Sequence, residues 1–587
     1  MSVNAQLAAL FSEIALLLEL QESNPFRIRA YLRVAQLLES FEEDIASRAA
    51  EGTLLDIPGI GKDISATIQE FLEAGTITEL FDLRAAVPPV LVQMTAIPGL
   101  GPKKALKLYH ELGLESLDGL AAACSGGAVA ALPGFGEKSQ QNILKGIDFV
   151  RRVSGTWSLG QVLPAADAMI GALSELDEVE QISIAGSLRR MKEAVGDVDI
   201  VVGSRAQEAV MEAFTSHQMV GEILAHGTTK SSIRTHDDLQ IDLCVVPPDV
   251  FGAALMHFTG SKEHNIRLRE MATWKGIRIN EYGVYDVSDL AAGEKDGDPE
   301  AGTRLGAATE ESCFETLDLP WIPPELREDT GEIQAALAGK LPELIELEDI
   351  RGEIHAHTDA SDGHHTLEEL IGAVRERGLS YIAVTDHSRS LTIAGGLDID
   401  RMKWQIDRVR EADTRHPDIR VFTGTEVDIL KDGSLDYPDD LLAELDIVIA
   451  SIHSRFGMSG EEQTRRICDA MENPYVGVIG HLTGRMLGER DAYELDIEQV
   501  IESAARTRTA LEINAHPKRL DLNDRHARMA RKAGAGIVIC TDTHRPGHLD
   551  FMHFGVQVAR RAWLGPADIL NTLEADALLT ELHQKRE

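Results

Sequence analysis

The sequence predicts three architectures in one chain: an all-α N-terminal part, a mixed α/β middle, and a C-terminal distorted α/β barrel of the TIM-like kind. Three observations carry this. A Pro-Gly-x-Gly hairpin recurs three times between helix-like segments, two aspartates open an apolar strand-like run at Asp197, and after Arg351 short apolar runs ending in His, Glu or Asp alternate with helix-like segments. At 587 residues the chain is too long for a single core. An apolar content of 43% without a membrane-length apolar run predicts a soluble chain with no membrane partner. No basic stretch followed by an apolar segment opens the sequence, so no signal peptide is expected. Five scattered cysteines (Cys124, Cys244, Cys313, Cys468, Cys540) lack CxxC spacing, which suits a reducing cytoplasm and speaks against a thiolate zinc site.

Residues 1–85 read as helical, because LAALFSEIALLLEL and RIRAYLRVAQLLESF place apolar residues three or four apart. Ile57-Pro-Gly-Ile-Gly61, Ile97-Pro-Gly-Leu-Gly101 and Leu132-Pro-Gly-Phe-Gly136 each lead into a lysine-containing amphipathic helix, the last two within a helical subdomain at 86–153. Glycine permits a tight turn at positive φ and lets the N–H groups of the next helix approach a phosphate. This is the helix-hairpin-helix pattern, which grips DNA backbone without reading sequence. Gly59, Gly61, Gly99, Gly101, Lys103, Gly134 and Gly136 are the candidate contacts. The net charge of −39 bears on solubility and not on a local groove. Scarce lysine and abundant acid suit a salty cytoplasm, and predict a weaker grip on DNA at low salt than a basic homologue would have.

The run ISIAGSLRRMKEAVGDVDIVVG (Ile182 to Gly203) holds the chemistry of the middle region. Asp197 and Asp199 project from one strand face while Val198 points inward. Two carboxylates so placed repel unless a cation lies between them, and hard oxygen ligands with substrate phosphates suit Mg²⁺. The Gly186-Ser187 turn opens a helix whose N–H groups, with Ser187 and Arg190, suit phosphate oxygens. Asp242, a lone acid inside the apolar run LQIDLCVVP, is the candidate third ligand.

These residues resemble the nucleotidyltransferase palm of family X DNA polymerases. The resemblance implies a palm at 154–250 with Asp197, Asp199 and Asp242 as catalytic metal ligands, and a thumb at 251–320. HFTGSKEHNIRLR (His257 to Arg269) is similar to the family's nucleotide-facing segment, which makes Phe258, Gly260, Asn265 and Arg269 candidate nucleotide contacts. Gln240 stands where an Arg is usual beside the third aspartate, and His257 where a Tyr commonly excludes ribonucleotides. His257 and His264 read equally well as partly exposed polar residues. The helix after the first hairpin offers only Lys62, at its start, with Asp63 and Thr67 where amines would serve a Schiff-base lyase. No lyase activity by that route is expected. Residues 321–348, within a loop-rich acidic and Pro-rich stretch from 285 to 350, read as a tether.

From Arg351, YIAVTDH, IRVFTG, DIVIASIH, VGVIGH, TALEINAH and GIVICTDTH give a βα repeat. Barrel chemistry sits at the C-terminal strand ends, where His355, His357, Asp362, His387, Glu426, His453, His481, Asp542 and His544 fall. Six histidines and three carboxylates suit Zn²⁺, Mn²⁺ or Fe, with Glu426 typed to bridge two ions. This segment, 349–587, resembles a PHP (polymerase and histidinol phosphatase) domain, which implies up to three ions. Asn514, Lys518 and Arg519 read equally as phosphate contacts or solvated loop charges.

The combination resembles bacterial and archaeal family X DNA polymerases over essentially the whole chain. It implies a monomer that fills gapped or nicked DNA from dNTPs, alongside other repair proteins. It also implies a metal-dependent 3′–5′ exonuclease with AP endonuclease or 3′-phosphatase capacity. Two other readings stand beside it: a structural or pyrophosphate-hydrolysing barrel, or a pure nuclease with a non-catalytic palm.

Overall fold

The computed structural model describes residues 3–41, 44–153, 155–290 and 298–586, which divide near Gly155 into two compact units. The acidic loop expected around residue 294 lies partly outside the described residues.

The first unit is all helix. Leu7, Phe11, Ile14 and Leu18 recur every three or four residues, and they bury against Tyr31, Val34 and Leu38 in one core. The three hairpins share one geometry. Gly59, Gly99 and Gly134 adopt φ of +103°, +79° and +87°, which a side chain would resist. A matching turn hydrogen bond closes each hairpin: Ile60 N–H to Ile57 O at 3.1 Å, Leu100 N–H to Ile97 O at 2.9 Å, and Phe135 N–H to Leu132 O at 3.0 Å. Helices Lys62–Ala74, Pro102–Leu112 and Glu137–Val153 start immediately after Gly61, Gly101 and Gly136. Lys103 is exposed in the first turn of its helix.

The second unit begins with a five-stranded sheet in the order Gln181–Ile184, Asp197–Gly203, Gln240–Val246, Lys230–Thr235, Val220–His226. Its central pair is parallel and the other pairs antiparallel. Helices Phe251–Thr259 and Lys262–Trp274 follow, with a three-stranded antiparallel sheet of Ile277–Asn280, Gly283–Asp286 and Thr303–Gly306.

The expected tether at 321–348 is instead packed into this region. Ile322, Leu326, Ile333, Ala336 and Leu344 join its apolar core. Arg327 is fully buried, and its guanidinium meets Glu310 at 2.5 and 3.1 Å while Nε donates to Ile322 O at 2.8 Å. A buried charge is tolerated only when paired in this way. The Pro-rich punctuation therefore marks a folded strap.

Seven parallel strands in sequence order form the C-terminal barrel: Gly352–Ala356, Tyr381–Val384, Arg420–Asp428, Ile447–Ser451, Val478–Ile479, Ala510–Asn514 and Ile537–Cys540. The sheet turns back on itself where His357 N–H donates to Thr543 O at 2.8 Å and Thr543 N–H to His355 O at 3.1 Å. Ile354, Ala383, Phe422, Ile449, Val478 and Val538 pack together, with Leu578 and Leu582 of helix Ala575–His583 joining them. Barrel and palm share a further apolar core: Val162, Met169, Val198 and Ile241 belong to one buried cluster with Ile513, Phe554 and Val558.

Candidate active sites

In the palm, parallel register sets Asp199 opposite Asp242 and Asp197 opposite Gln240. Alternation then puts all three acids on one face, with Val198 and Ile241 fully buried beneath them. Gly186, at φ +63°, lies so close to Asp199 that a β-carbon there would collide with the carboxylate. The phosphate-suited turn and the acids are thus in contact. Burial, reinforced by Asp197 and Asp242, pushes the Asp199 carboxyl up to about 7, and burial with Asp242 raises Asp197 as well. An acid face that resists its own ionisation is suited to a divalent cation, which would remove that resistance. Gln240 Nε2 donates to both oxygens of Asp242 at 3.1 Å.

Ser187 stands half-buried in the turn helix Gly186–Arg189. Arg190, expected to receive phosphate, is buried and already engaged. Its Nε donates to Glu328 Oε1 at 2.9 Å and its Nη1 to Thr259 O at 2.7 Å. Neighbouring Arg189 pairs with Glu310 at 2.8 Å. Both partners belong to elements far along the chain, which sequence could not pair.

In the segment from His257 to Arg269, expected to face the nucleotide, Asn265 Nδ2 donates to His257 O at 2.8 Å and Gly260 O at 3.1 Å. A side chain at Gly260 would crowd Asn265 Oδ1 at 2.6 Å, so this glycine is fixed by close approach. Lys230 Nζ sits 4.8 Å from the Phe258 ring centre. Arg269 Nη2 lies 3.4 Å from His257 Nδ1. His264 is not partly exposed: it is fully buried, with Nδ1 2.6 Å from Glu332 Oε1.

In the barrel all nine expected residues converge. Three overlapping groups (His357, Asp362, His387 and His544; His355, His357 and Asp542; His387, Glu426 and His453) place ligand atoms within 4.8 Å of one another. His481 Nε2 joins them 2.8 Å from Glu426 Oε1. His355 Nε2, both nitrogens of His357, His387 Nδ1, Glu426 Oε2 and His481 Nδ1 are buried without a hydrogen-bond partner. Buried polar atoms are rarely left so, and a shared set of imidazole and carboxylate lone pairs fits divalent metal ions. Burial disfavours charge on Glu426, but His453, His355 and His387 outweigh it and hold the carboxylate well below its usual range. Two of the nine, His481 (φ +26°) and Asp542 (φ +54°), sit at strained backbone angles.

A second set of acids, unmarked in the sequence reading, aims the imidazoles. Glu512 Oε1 lies 2.6 Å from His355 Nδ1, and Asp428 Oδ1 lies 2.7 Å from His453 Nδ1, leaving each Nε2 to the pocket. Glu353 accepts from His355 N–H and Thr541 N–H, both at 2.8 Å, and burial pushes it up to about 7. Glu353 and Glu512 carry the signal that singled out Asp242, an acid inside an apolar strand. Asn514 is no solvated loop residue: it is buried and donates to Asp542 Oδ2 at 3.2 Å. Arg519 Nε approaches the same carboxylate at 3.5 Å, and Lys518 is exposed.

Comparison with known proteins gives a consistent picture. The chain matches the DNA polymerase beta thumb family over residues 254–328 and the PHP domain family over 353–516. It matches a helix-hairpin-helix domain over 2–77 and a SAM-like helix-hairpin-helix tandem over 92–148. It is 38% identical to the DNA polymerase/3′-5′ exonuclease PolX of Bacillus subtilis, over 96% of both chains. DNA polymerase lambda of Rattus norvegicus is 27% identical over 52% of this chain and 53% of its own. A probable phosphatase of Thermoanaerobacter is 30% identical over 38% of this chain and 89% of its own. Among the described residues no helix is long and apolar enough to cross a membrane.

Proposed function

Because the chain belongs to the PolX family, the family X DNA polymerases that carry a PHP domain, we propose that its two acid-rich centres run opposite reactions on one DNA end. It is a DNA polymerase whose PHP domain is a nuclease or phosphoesterase. In our reading it fills short gaps in damaged DNA, and the barrel trims the 3′ terminus.

Asp197, Asp199 and Asp242 would hold Mg²⁺, and the nine barrel residues Mn²⁺, Zn²⁺ or Fe, up to three ions. Bound cations supply charge neutralisation at the phosphates and Lewis acidity toward the phosphoryl group. The protein's own part in the palm is positioning. The Gly186-Ser187 turn offers N–H groups and a hydroxyl to the triphosphate. Asp242 takes the proton of the primer 3′-hydroxyl at a carboxylate oxygen. Gln240 steadies both of its oxygens without the positive charge of an arginine. Asn265 holds the His257–Gly260 turn beneath the incoming nucleotide, and Phe258 and Arg269 line that pocket. In the barrel, Glu512 and Asp428 fix the imidazole tautomers of His355 and His453. The hairpin glycines, all exposed except half-buried Gly136, and Lys103 take the DNA backbone.

The observation that carries this reading is the convergence of two separate ligand clusters, one of aspartates and one mainly of imidazoles. The test is incubation with 5′-labelled gapped DNA. With Mg²⁺ and dNTPs the primer should lengthen to fill the gap, and with Mn²⁺ and no dNTPs it should shorten stepwise. A primer of unchanged length under both conditions would overturn the proposal.

A further inference from the structure

Beside the nine-residue pocket lies a group of rings that metal holding leaves unused. His548 stacks on Phe551 with centroids 4.8 Å apart and 24° between planes. His516 meets His548 and Phe551 edge-on at 5.7 and 5.2 Å. All three are half-buried, so part of this aromatic surface faces solvent. The His548 ring lies 6.5 Å from that of His544, one of the nine. That span is comparable with the distance from a nucleobase to the phosphate of its own nucleotide.

Backbone donors fix both imidazoles. Lys518 N–H donates to His516 Nδ1 at 3.2 Å, and His544 N–H to His548 Nδ1 at 3.4 Å. An Nδ1 that accepts is unprotonated, so each ring is an uncharged planar surface. The backbone that presents His544 to the pocket therefore also orients His548. A rigid aromatic patch at that distance from a phosphodiester-cleaving centre suits stacking of a base, and stacking tolerates any sequence because every base has a π-face.

We propose that His516, His548 and Phe551 form a platform on which the unpaired terminal base of the strand being shortened stacks, placing its phosphodiester at the nine-residue pocket. The proposal rests on the exonuclease reading of that pocket. What it adds is the surface that holds the freed base, since a base still paired in a duplex cannot lie on these rings.

The test uses the full-length protein with Mn²⁺ and two 5′-labelled single strands that differ only in the last residue, thymidine or a tetrahydrofuran abasic analogue. Wild type should remove the thymidine with a kcat/KM about tenfold higher, mainly through KM, as loss of one stacked base implies. His548→Ala should bring the ratio close to one, and His548→Phe, which keeps a stacking face, should restore it. Equal rates on the two strands in wild type would overturn the platform. So would a wild-type ratio in His548→Ala, or a lost ratio that His548→Phe fails to restore. If wild type shortens neither strand, the exonuclease reading itself fails, which is a separate outcome.

Discussion

Arg190 Nε lies 2.9 Å from Glu328 Oε1, and the same oxygen takes Arg561 Nη1 at 3.1 Å. Arg561 also donates to Arg190 O at 2.7 Å. One carboxylate on the strap therefore joins the end of the palm helix Gly186–Arg189 to a helix of the barrel. Removing it would leave buried Arg190 without its paired acid, while Arg561 would keep Asp524 at 2.7 Å. Glu328→Ala should lower stability by about 3 kcal/mol, the scale for breaking a buried ion pair from one side. Denaturant unfolding measures this, and Glu328→Gln should recover part of the loss through its remaining acceptor oxygen.

Acid should loosen the same strap. Burial works against ionisation of Glu310, but Arg327 and Arg189 outweigh it and bring the carboxyl down to about 2. A carboxyl depressed in the folded state stabilises above its unfolded value, near 4.5, and loses that contribution as pH falls toward 2. The expected loss across this window is about 2–3 kcal/mol. Unfolding midpoints of wild type and Glu310→Gln between pH 6 and pH 3 would show it: both should fall, because other depressed carboxylates such as Glu328 and Glu332 remain, but wild type should fall more steeply.

The palm acids carry the opposite sign. Asp199 is raised to about 7, so the metal-free fold binds a proton that the unfolded chain does not between pH 4 and 7, and stability falls as pH rises through that range. Metal-free Asp199→Asn should be more stable than wild type at pH 8, by about 1–2 kcal/mol, and equal to it near pH 4. Thermal melts in EDTA at the two pH values check this. Saturating Mg²⁺ should narrow the difference at pH 8 by stabilising wild type alone.

Glu512 makes a prediction about metal retention. Its Oε1 holds His355 Nδ1 at 2.6 Å, and its Oε2 accepts the His481 N–H at 2.5 Å, so it aims two of the nine residues. Glu512→Gln should weaken metal binding by about 10–100-fold. Metal content after dialysis against a graded chelator series reads this directly, with palm-dependent primer extension left as an internal control.

Much of this architecture was legible in the chain because the chemistry constrains it locally. The three hairpin glycines need positive φ, the aspartates need strand alternation, and the barrel ligands need C-terminal strand ends, so each leaves a short-range pattern. The strap left none. Its prolines read as punctuation, and what folds it, Arg327 on Glu310 and Glu332 on His264, joins residues 17 and 68 positions apart. Arg190 reads as a phosphate ligand until its partner, 138 positions on, is in view. Glu512 lies between these cases: an acid inside an apolar strand was visible, but its target, His355, is 157 positions away.

The central claim is that the aspartate cluster lengthens a primer and the imidazole cluster shortens it, independently. The most direct measurement follows one 5′-labelled gapped substrate with Asp197→Ala and with His355→Ala, each with and without dNTPs. The account predicts that Asp197→Ala stops extension and leaves Mn²⁺-stimulated shortening intact, while His355→Ala does the reverse. Loss of both activities in either single variant, with its fold intact by thermal melt, or shortening that survives His355→Ala, would contradict it.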